Sequence, residues 1–585
     1  MRTDDVLGVR KRRRRESTRV VTSILAASVV ALAMPAALSA TYTVPSNRRI
    51  VWRAGLDAEG GIPLYTIKKN AVSDYGANPG GAVDATAAIQ NCVNGVTKPG
   101  ACYLPAGTYL LAGTIRMPAQ VALRGGGPSK TVLNMTASAA IEFVGGSKSD
   151  MSAPIAITSG YTKDSTALTL VSVSGLATND WISIYENNPS GLVDASKCDW
   201  CGDDSDTGQH VIQQFAKITA IAGNVITINR PIYYTYASNL SPSIRKVRFG
   251  VYLSGLEDLK LNRTQAPNGS IISSDFARHC WLKNIETVKG GNNSGEQHVS
   301  LWFSHGWEIR DSYIHDGYGY GSGQNYGIHI MFWNSDHKIE NNIIYSVRHG
   351  VNFEGGGSGS AILYNYFDSH YESEDAGYLD ADLNPNHGPH PMMVLLEGNS
   401  SAKIVWDETM GSSSHQTAFR NHVRVQRITP AVSWGRWGID VQATNRYMNI
   451  IGNVIGLPTW TAGTVIANGS ECSPPEPTAI RFGCDGQPGD YTDPQSRSTT
   501  ILHGNYDYIT DGVATWDGGA DHTLMPSMYY SSKPAFFGTC AWPPFGPDVT
   551  GIVGTLPAKN RYQGGSLCGS GSTAPAPATD VRVIR

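Results

Sequence analysis

The chain has 585 residues, a net charge of −3, 16% charged residues, 9% aromatic residues and 64 glycines. Charged residues make up roughly 25% of an ordinary soluble protein. A chain this poor in charge and rich in Gly, Asn, Thr and Ser suits an all-β secreted protein, and its slight negative charge excludes electrostatic capture by nucleic acid or an anionic membrane.

Residues 10–15 are a basic run with Arg19 close behind, residues 20–37 are apolar, and small residues close the stretch at 37–40. This is the three-part layout of a bacterial export signal, predicted over residues 1–40. Thr22, Ser23, Ser28 and Pro35 break the apolar stretch, which argues against a membrane span. No second candidate span follows, so the mature protein is expected to be secreted or periplasmic and free of the membrane. The basic run fits either the general or the twin-arginine export route.

Beyond the signal lie nine cysteines. In an oxidising compartment the local spacings suggest the pairs Cys92–Cys102, Cys198–Cys201, Cys472–Cys484 and Cys540–Cys568. Cys280 is left over, inside an apolar strand-like run, and reads as a buried thiol. The lone C-x-x-C at 198–201 lacks the second pair a zinc site would need and reads as a loop staple.

The mature sequence opens with Val-Ser-Asp-Tyr-Gly-Ala at 72–77, a short helix pattern at 84–90, and strand-like segments at 103–109 and 121–125. This order resembles the first coil of the pectate-lyase-like superfamily of bacterial right-handed parallel β-helix proteins. The resemblance implies that the helix caps the open end of a solenoid; it says little about substrate. Residues 41–150 are therefore expected to form the cap and first coils. Short strand patterns at 167–170, 181–184, 217–221 and 224–228 predict a small all-β insertion over 151–240, either a wall beside a substrate or a decoration.

The main β-helix is expected over 241–470. Ile309, Ile339, Ile362 and Ile404 are each followed three places later by a small polar residue: Ser312, Asn342, Asn365 and Asp407. Each is preceded by an apolar run, at Val299, Ile328, Val351 and Val394. The step of 23 residues from Ile339 to Ile362 is one coil of a β-helix. Asn342 and Asn365 fall in one column, flanked by Ser312 and Asp407, and stacked Asn side chains can hydrogen-bond from coil to coil; Asn421 and Asn453 suit the same role. Past 455 the pattern decays into C-terminal loops and last strands over 471–569, and the Ala/Pro-rich residues 570–585 read as a flexible tail. The expected fold is all-β: a right-handed parallel β-helix solenoid with an N-terminal capping helix and a small β insertion. A capped solenoid is expected to be a monomer.

Twelve of the 15 histidines lie between His279 and His422. The densest polar run is 368–397, on a coil lengthened to 42 residues between Ile362 and Ile404. Long loops on a rigid scaffold are where function concentrates. Together with His349-Gly350, Glu354-Gly355-Gly356-Gly357 and residues 411–421, this run resembles a group of bacterial secreted β-helix proteins within the same superfamily. That resemblance spans residues 65–560, implies a carbohydrate-active scaffold with a polysaccharide as partner, and transfers no catalytic residue.

Hydrolysis of a glycosidic bond needs an acid and a carboxylate base or nucleophile. Coils about 4.8 Å apart bring carboxylates on adjacent coils near the retaining spacing, and those two coils apart near the inverting one. Glu354 and Glu397 sit eight and seven residues before Ile362 and Ile404 and are the expected catalytic pair, with Asp368 and then Asp407 next. His349 and His415 are further catalytic candidates, and His390, His370, Arg420, Arg348 and Trp333 are expected to bind substrate. Hydrolysis needs no cofactor and is preferred because carboxylates outnumber lysines there. The first alternative is β-elimination on a uronic-acid polymer, with a histidine as base and Ca²⁺ held by Asp375, Asp380 and Asp382. A transition metal on His387, His390, Glu397 and His415 is another reading, and a non-catalytic carbohydrate-binding β-helix is the last. Trp302, Trp307, Tyr326, Phe332 and Tyr378 are aromatic candidates for stacking on sugar rings.

Overall fold

The computed structural model describes residues 44–198, 208–469, 472–486, 490–517, 522–566 and 568, all within one compact unit spanning Tyr42–Arg585. The export signal, the C-terminal tail and the Cys198–Cys201 bridge involve residues outside that set. The chain winds as a parallel β-helix whose strands join two long sheets, one of 23 strands and one of 11.

A typical coil shows why the sequence winds this way. Val351–Glu354 lies in the 11-stranded sheet, Ala361–Leu363 and Tyr366–Asp368 in the 23-stranded sheet. Between the last two strands the chain bends at Tyr364, whose φ is +56°, followed by Asn365. The same left-handed bend recurs at Asp311, Asn341, Gly398, Arg420, Gly452 and Gly504, each followed by a ladder residue: Ser312, Asn342, Asn399, Asn421, Asn453 and Asn505. Only one residue per bend takes this conformation, so the strain at each bend is confined to a single position. At Gly398 a side chain is also excluded by space, since a Cβ there would lie 2.3 Å from the Tyr364 ring.

The asparagines lock the bends together. The Asn421 amide oxygen accepts from the backbone N–H and the side-chain amide of Asn399, both at 3.0 Å. Its own amide donates to the Leu396 carbonyl and to Asn453, both at 2.9 Å. The pattern runs unbroken from Asn342 through Asn365, Asn399, Asn421 and Asn453 to Asn505. Asp407 is not a rung: the coil phase shifts across the long loop 369–382, and Asn399 takes the place expected of Asp407. Ile404 pairs with Leu383 and Ile439 in the 11-stranded sheet, whereas Ile362 pairs with Leu396, 34 residues on.

Inside the coils, apolar side chains stack in register. One column runs Ile309, Ile339, Ile362, Leu396, Ala418, Ile450 and Leu502; the other runs Val299, Ile328, Val351, Leu383, Ile404, Ile439 and Ile480. All are buried, and burying each large aliphatic side chain contributes roughly 1.5–3 kcal/mol.

The helix Thr86–Asn94 closes the N-terminal end, burying Ile89, Cys92 and Val93, with Cys92 bonded to Cys102. Cys472–Cys484 and Cys540–Cys568 are also bonded, and Cys280 is a buried free thiol. The insertion is a closed six-stranded barrel from Ile155–Ser159 to Ser243–Val247. It is anchored by aromatic rings. Phe276, Phe303 and Phe332 occupy successive left-handed turns after strands of the 11-stranded sheet and stack with centroids 5.0 and 5.6 Å apart, packing with Trp181, Tyr185 and Phe215 of the barrel. Gly355 replaces the aromatic residue on the next coil.

The outer face of the 23-stranded sheet is covered by the C-terminal segment. Phe536, Phe537, Phe545 and Leu556 pack on Leu363, Tyr364, Phe419 and Ile451. Among the described residues no helix is long and apolar enough to cross a membrane.

Replacing Asn421 by Ala removes the acceptor of the Asn399 N–H and one of the two acceptors of its side-chain amide, and takes the Asn421 amide donor from the Leu396 carbonyl. Unsatisfied buried groups cost about 1–3 kcal/mol each, so Asn421→Ala is expected to lower stability by about 3 kcal/mol in urea unfolding. A loss below about 0.5 kcal/mol would show that the ladder does not hold the coils.

Candidate functional site

With one sheet face covered, the outward side chains of the 11-stranded sheet remain. Alternation along each strand sorts them into two columns. One runs Glu142, Ser273, Ser300, His329, Asn352 and Asn384; the other runs Val144, Asp275, Trp302, Met331, Glu354 and Gly388. The single residue between Asn352 and Glu354 becomes three between Asn384 and Gly388, so the chain bulges at Pro385-Asn386-His387. A bulge re-aims the side chains it carries, and here it delivers His387.

Around this point charged and polar groups converge. Glu354 Oε2 lies 3.1 Å from His329 Nε2, and Asn352 donates to Glu354 Oε1 at 2.8 Å. His387 Nδ1 is 2.7 Å from Asp407 Oδ2, which also accepts from Asn384 at 2.6 Å. His349 packs against Tyr326 and His387, with ring centroids 4.9 and 6.2 Å away. Its Nδ1 is 3.0 Å from the Ala381 carbonyl and 3.6 Å from Asp380. Arg348 donates to the Tyr326 hydroxyl at 2.9 Å and to Glu372 at 2.7 Å. The Tyr326 hydroxyl, pushed up by burial, lies within the fields of Arg348, Glu354, Asp380 and Asp407 together. His329 Nδ1, Asn352 Oδ1, Asn384 Oδ1 and Asp380 Oδ2 are buried with no hydrogen-bond partner among the described residues, the kind of vacancy a polar ligand fills.

The protonation states differ across the cluster. Burial opposes charge on Glu354, but His329, with His387, outweighs it and holds the carboxyl down at about 2. Burial pushes Asp380 above the ordinary carboxylate range, against the pull of Arg348. Burial works against the His387 charge too, yet Asp407, with Glu354, raises it to about 9. His349 is pushed well below its ordinary value by burial and by Arg348, and is neutral.

Arg348, His349, Glu354 and Asp380 thus meet, together with Asp407 and His387, and the other expected residues lie elsewhere. Glu397 lies on the opposite sheet, fully buried beneath the C-terminal segment: it accepts from Tyr364 at 2.6 Å, from the Ser527 hydroxyl and from the Met528 N–H at 2.8 Å. The alignment with Glu354 failed because Glu397 belongs to the strand pairing with Leu363. Arg420 anchors the same segment through Asp548 and the Met525 and Phe545 carbonyls. Asp368 is held by Arg424 and the Ile428 N–H. His370 faces Asp382 and the Ile344 carbonyl. His390 lies between Ser412 and Ser414, and His415 between Tyr234 and Tyr447. Trp333 donates to the His210 carbonyl on the barrel side.

The residues expected to hold Ca²⁺ do not form a cage. Asp375 accepts from Trp434 and Gly377, Asp380 belongs to the cluster above, and Asp382 accepts from Ala402 and faces His370. His387 and His390 have separate partners, and among the described residues no group of three or more His, Cys, Asp or Glu is arranged to hold a metal ion. His329 is not among the expected site residues, and Asp407, expected both as a further carboxylate candidate and as a rung, lies in the cluster. The signal that locates His329 is plain alternation: Val-Ser-Leu-Trp, Ile-His-Ile-Met and Val-Asn-Phe-Glu at 299–302, 328–331 and 351–354.

Residues 70–174 match the family described as rhamnogalacturonase A/epimerase, pectate lyase-like. No curated protein matches the sequence. Similar solved structures include the tailspike protein gp49 of Pseudomonas phage LKA1, 14% identical over 72% of this chain and 77% of that one, TM-score 0.49. Another is the A-module of a mannuronan C-5 epimerase of Azotobacter vinelandii, 12% identical over 75% and 93%, TM-score 0.40. A third is a polygalacturonase from Erwinia carotovora ssp. carotovora, 12% identical over 76% and 98%, TM-score 0.32. The family match covers the cap and first coils and ends before Glu354, so it assigns no role to the cluster.

Because the folded-state value of His387 is raised, its contribution to stability is fully present below the unfolded value near 6.5 and is lost as pH rises through about 9. The melting-temperature gap between the wild-type protein and His387→Gln is therefore expected to be wide at pH 6 and to close above pH 9. A gap independent of pH would contradict the assignment.

Proposed function

We propose that this chain, a pectate-lyase-like parallel β-helix, is an extracellular enzyme that hydrolyses glycosidic bonds of a polysaccharide on the outer face of its 11-stranded sheet. The observation that carries the reading is the meeting of the carboxylates Glu354, Asp380 and Asp407 through neighbouring histidines: Glu354 is 3.1 Å from His329, Asp407 2.7 Å from His387, and His349, 3.6 Å from Asp380, packs against Tyr326 and His387. Two of them differ in protonation as hydrolysis requires, Glu354 ionised and Asp380 shifted toward its acid form.

In this reading Asp380 protonates the leaving glycosidic oxygen. Glu354 supports the electron-poor sugar carbon or takes the proton of the attacking water. The Asp407 carboxylate holds His387 in its charged form beside Glu354, and Arg348 fixes the Tyr326 hydroxyl between the carboxylates. The disulfides suit an oxidising compartment. One observation favours elimination as a second reading: neutral His349 has its Nδ1 against the Ala381 carbonyl, leaving Nε2 as a base close to the cations Arg348 and His387.

The purified protein is to be incubated with neutral and uronic-acid polysaccharides, with and without a chelator, while reducing ends and ultraviolet absorbance are followed. New reducing ends without absorbance are expected, and Glu354→Gln and Asp380→Asn should each slow their release about 100-fold or more, the ordinary scale of acid–base assistance. Absorbance rising with the reducing ends would replace hydrolysis by elimination. Binding without any product would make the protein a non-catalytic carbohydrate binder.

A further inference from the structure

Trp302 stands on the outward face of the 11-stranded sheet and is 37% exposed, unusual for so large an apolar residue. It occupies the column that carries Glu354, with only Met331 between them. Two coils at about 4.8 Å each put Trp302 roughly 10 Å from Glu354 along the solenoid axis, a separation of the order of two sugar units. The indole is held in place: its Nε1 donates to Ser300 at 2.7 Å, and the ring leans on Phe332, centroids 5.0 Å apart. Phe332 is the last ring of the stack that ties the barrel to the solenoid, so the platform is fixed to the scaffold from below.

The column continues away from Glu354 through Asp275 to Val144, which is 51% exposed. Val144, Arg116, Met117 and Pro118 line a surface cavity of about 770 Å³. The outward face therefore forms one track over six coils, from this cavity past Trp302 to the carboxylate cluster. Its chemistry is not that of an anion site. Arg116 is bridged to Glu142 at 3.1 Å, Lys148, 5.8 Å from the Phe303 ring, acts on the Asp275 carboxyl one coil from Trp302, and Arg348 and His387 lie at the far end. Asp275 Oδ1 is buried with no hydrogen-bond partner among the described residues, an acceptor suited to a sugar hydroxyl.

We infer that Trp302 is the stacking platform of a binding subsite for an uncharged sugar unit, two units from the bond cleaved at Glu354, and that the polysaccharide lies parallel to the solenoid axis. This rests on the proposed carbohydrate-cleaving site. Stacking places the apolar C–H face of a pyranose on the indole, Asp275 takes a hydroxyl at its edge, and a uronic-acid carboxylate at this position would meet the Asp275 carboxyl.

The test uses affinity electrophoresis of the full-length Glu354→Gln protein through gels containing xylan, laminarin, dextran, galactomannan or polygalacturonate. Retardation by a neutral polymer is expected. Adding Trp302→Ala should raise the apparent dissociation constant about tenfold, near 1.4 kcal/mol, and Trp302→Phe should recover most of it; matching melting curves would show that the fold is kept. Retardation unchanged by Trp302→Ala overturns the platform while leaving the Glu354 site standing. Retardation by polygalacturonate alone overturns the neutral-sugar assignment. No retardation in any gel, together with no cleavage by the wild-type protein, overturns the site and this inference with it.

Discussion

A parallel solenoid is held in register by whatever fixes each coil on the one before it, and here that is the buried asparagine ladder. Each rung follows a residue in the left-handed conformation, and each rung closes the backbone of its neighbour as well as its side chain. A slip of one residue would turn every inward side chain outward and break five buried asparagine–asparagine contacts in series. The apolar columns provide most of the burial energy, but they are compatible with more than one phase; the ladder selects one.

That fixed phase decides where chemistry is possible. Outward side chains on successive coils become columns with a regular spacing, so single residues far apart in sequence, such as His329, Glu354 and Asp407, arrive together. The two sheets then part in role. The 23-stranded sheet is closed by the C-terminal segment, whose anchors are Glu397 and Arg420. The 11-stranded sheet is flanked by the barrel, which is tied on by the Phe276–Phe303–Phe332 stack that ends where Gly355 follows Glu354. Around Glu354, polar atoms of His329, Asn352, Asn384 and Asp380 are buried without a partner among the described residues.

Much of the scaffold was legible in the sequence. The short helix at 86–94, the all-β insertion, three disulfide pairs, the buried Cys280 and the first rungs at Ser312, Asn342 and Asn365 followed from local spacing, and the capping role of the helix from the resemblance. Asn421 and Asn453 were legible as rungs too, but the phase between 365 and 407 was not, because an apolar residue with a polar one three places on occurs in both sheets, and Ile404 with Asp407 imitates a rung. Gly398-Asn399 carries the better signature, a residue suited to the left-handed bend followed by the amide. With that phase, Glu397 moves to the covered sheet and Asp407 to the open one. His387 was recognisable as a polar residue, but its position depends on a bulge that no periodicity announces.

The central claim is that the outer face of the 11-stranded sheet is the working face. Hydrogen–deuterium exchange of the Glu354→Gln protein, with and without the polysaccharide it is found to bind, tests this most directly. Slowed exchange confined to peptides covering 299–302, 328–331, 351–354 and 383–388, with 522–566 unchanged, is the predicted result. Protection centred on 522–566 and on the strands beneath it, with the first set unchanged, would contradict the account.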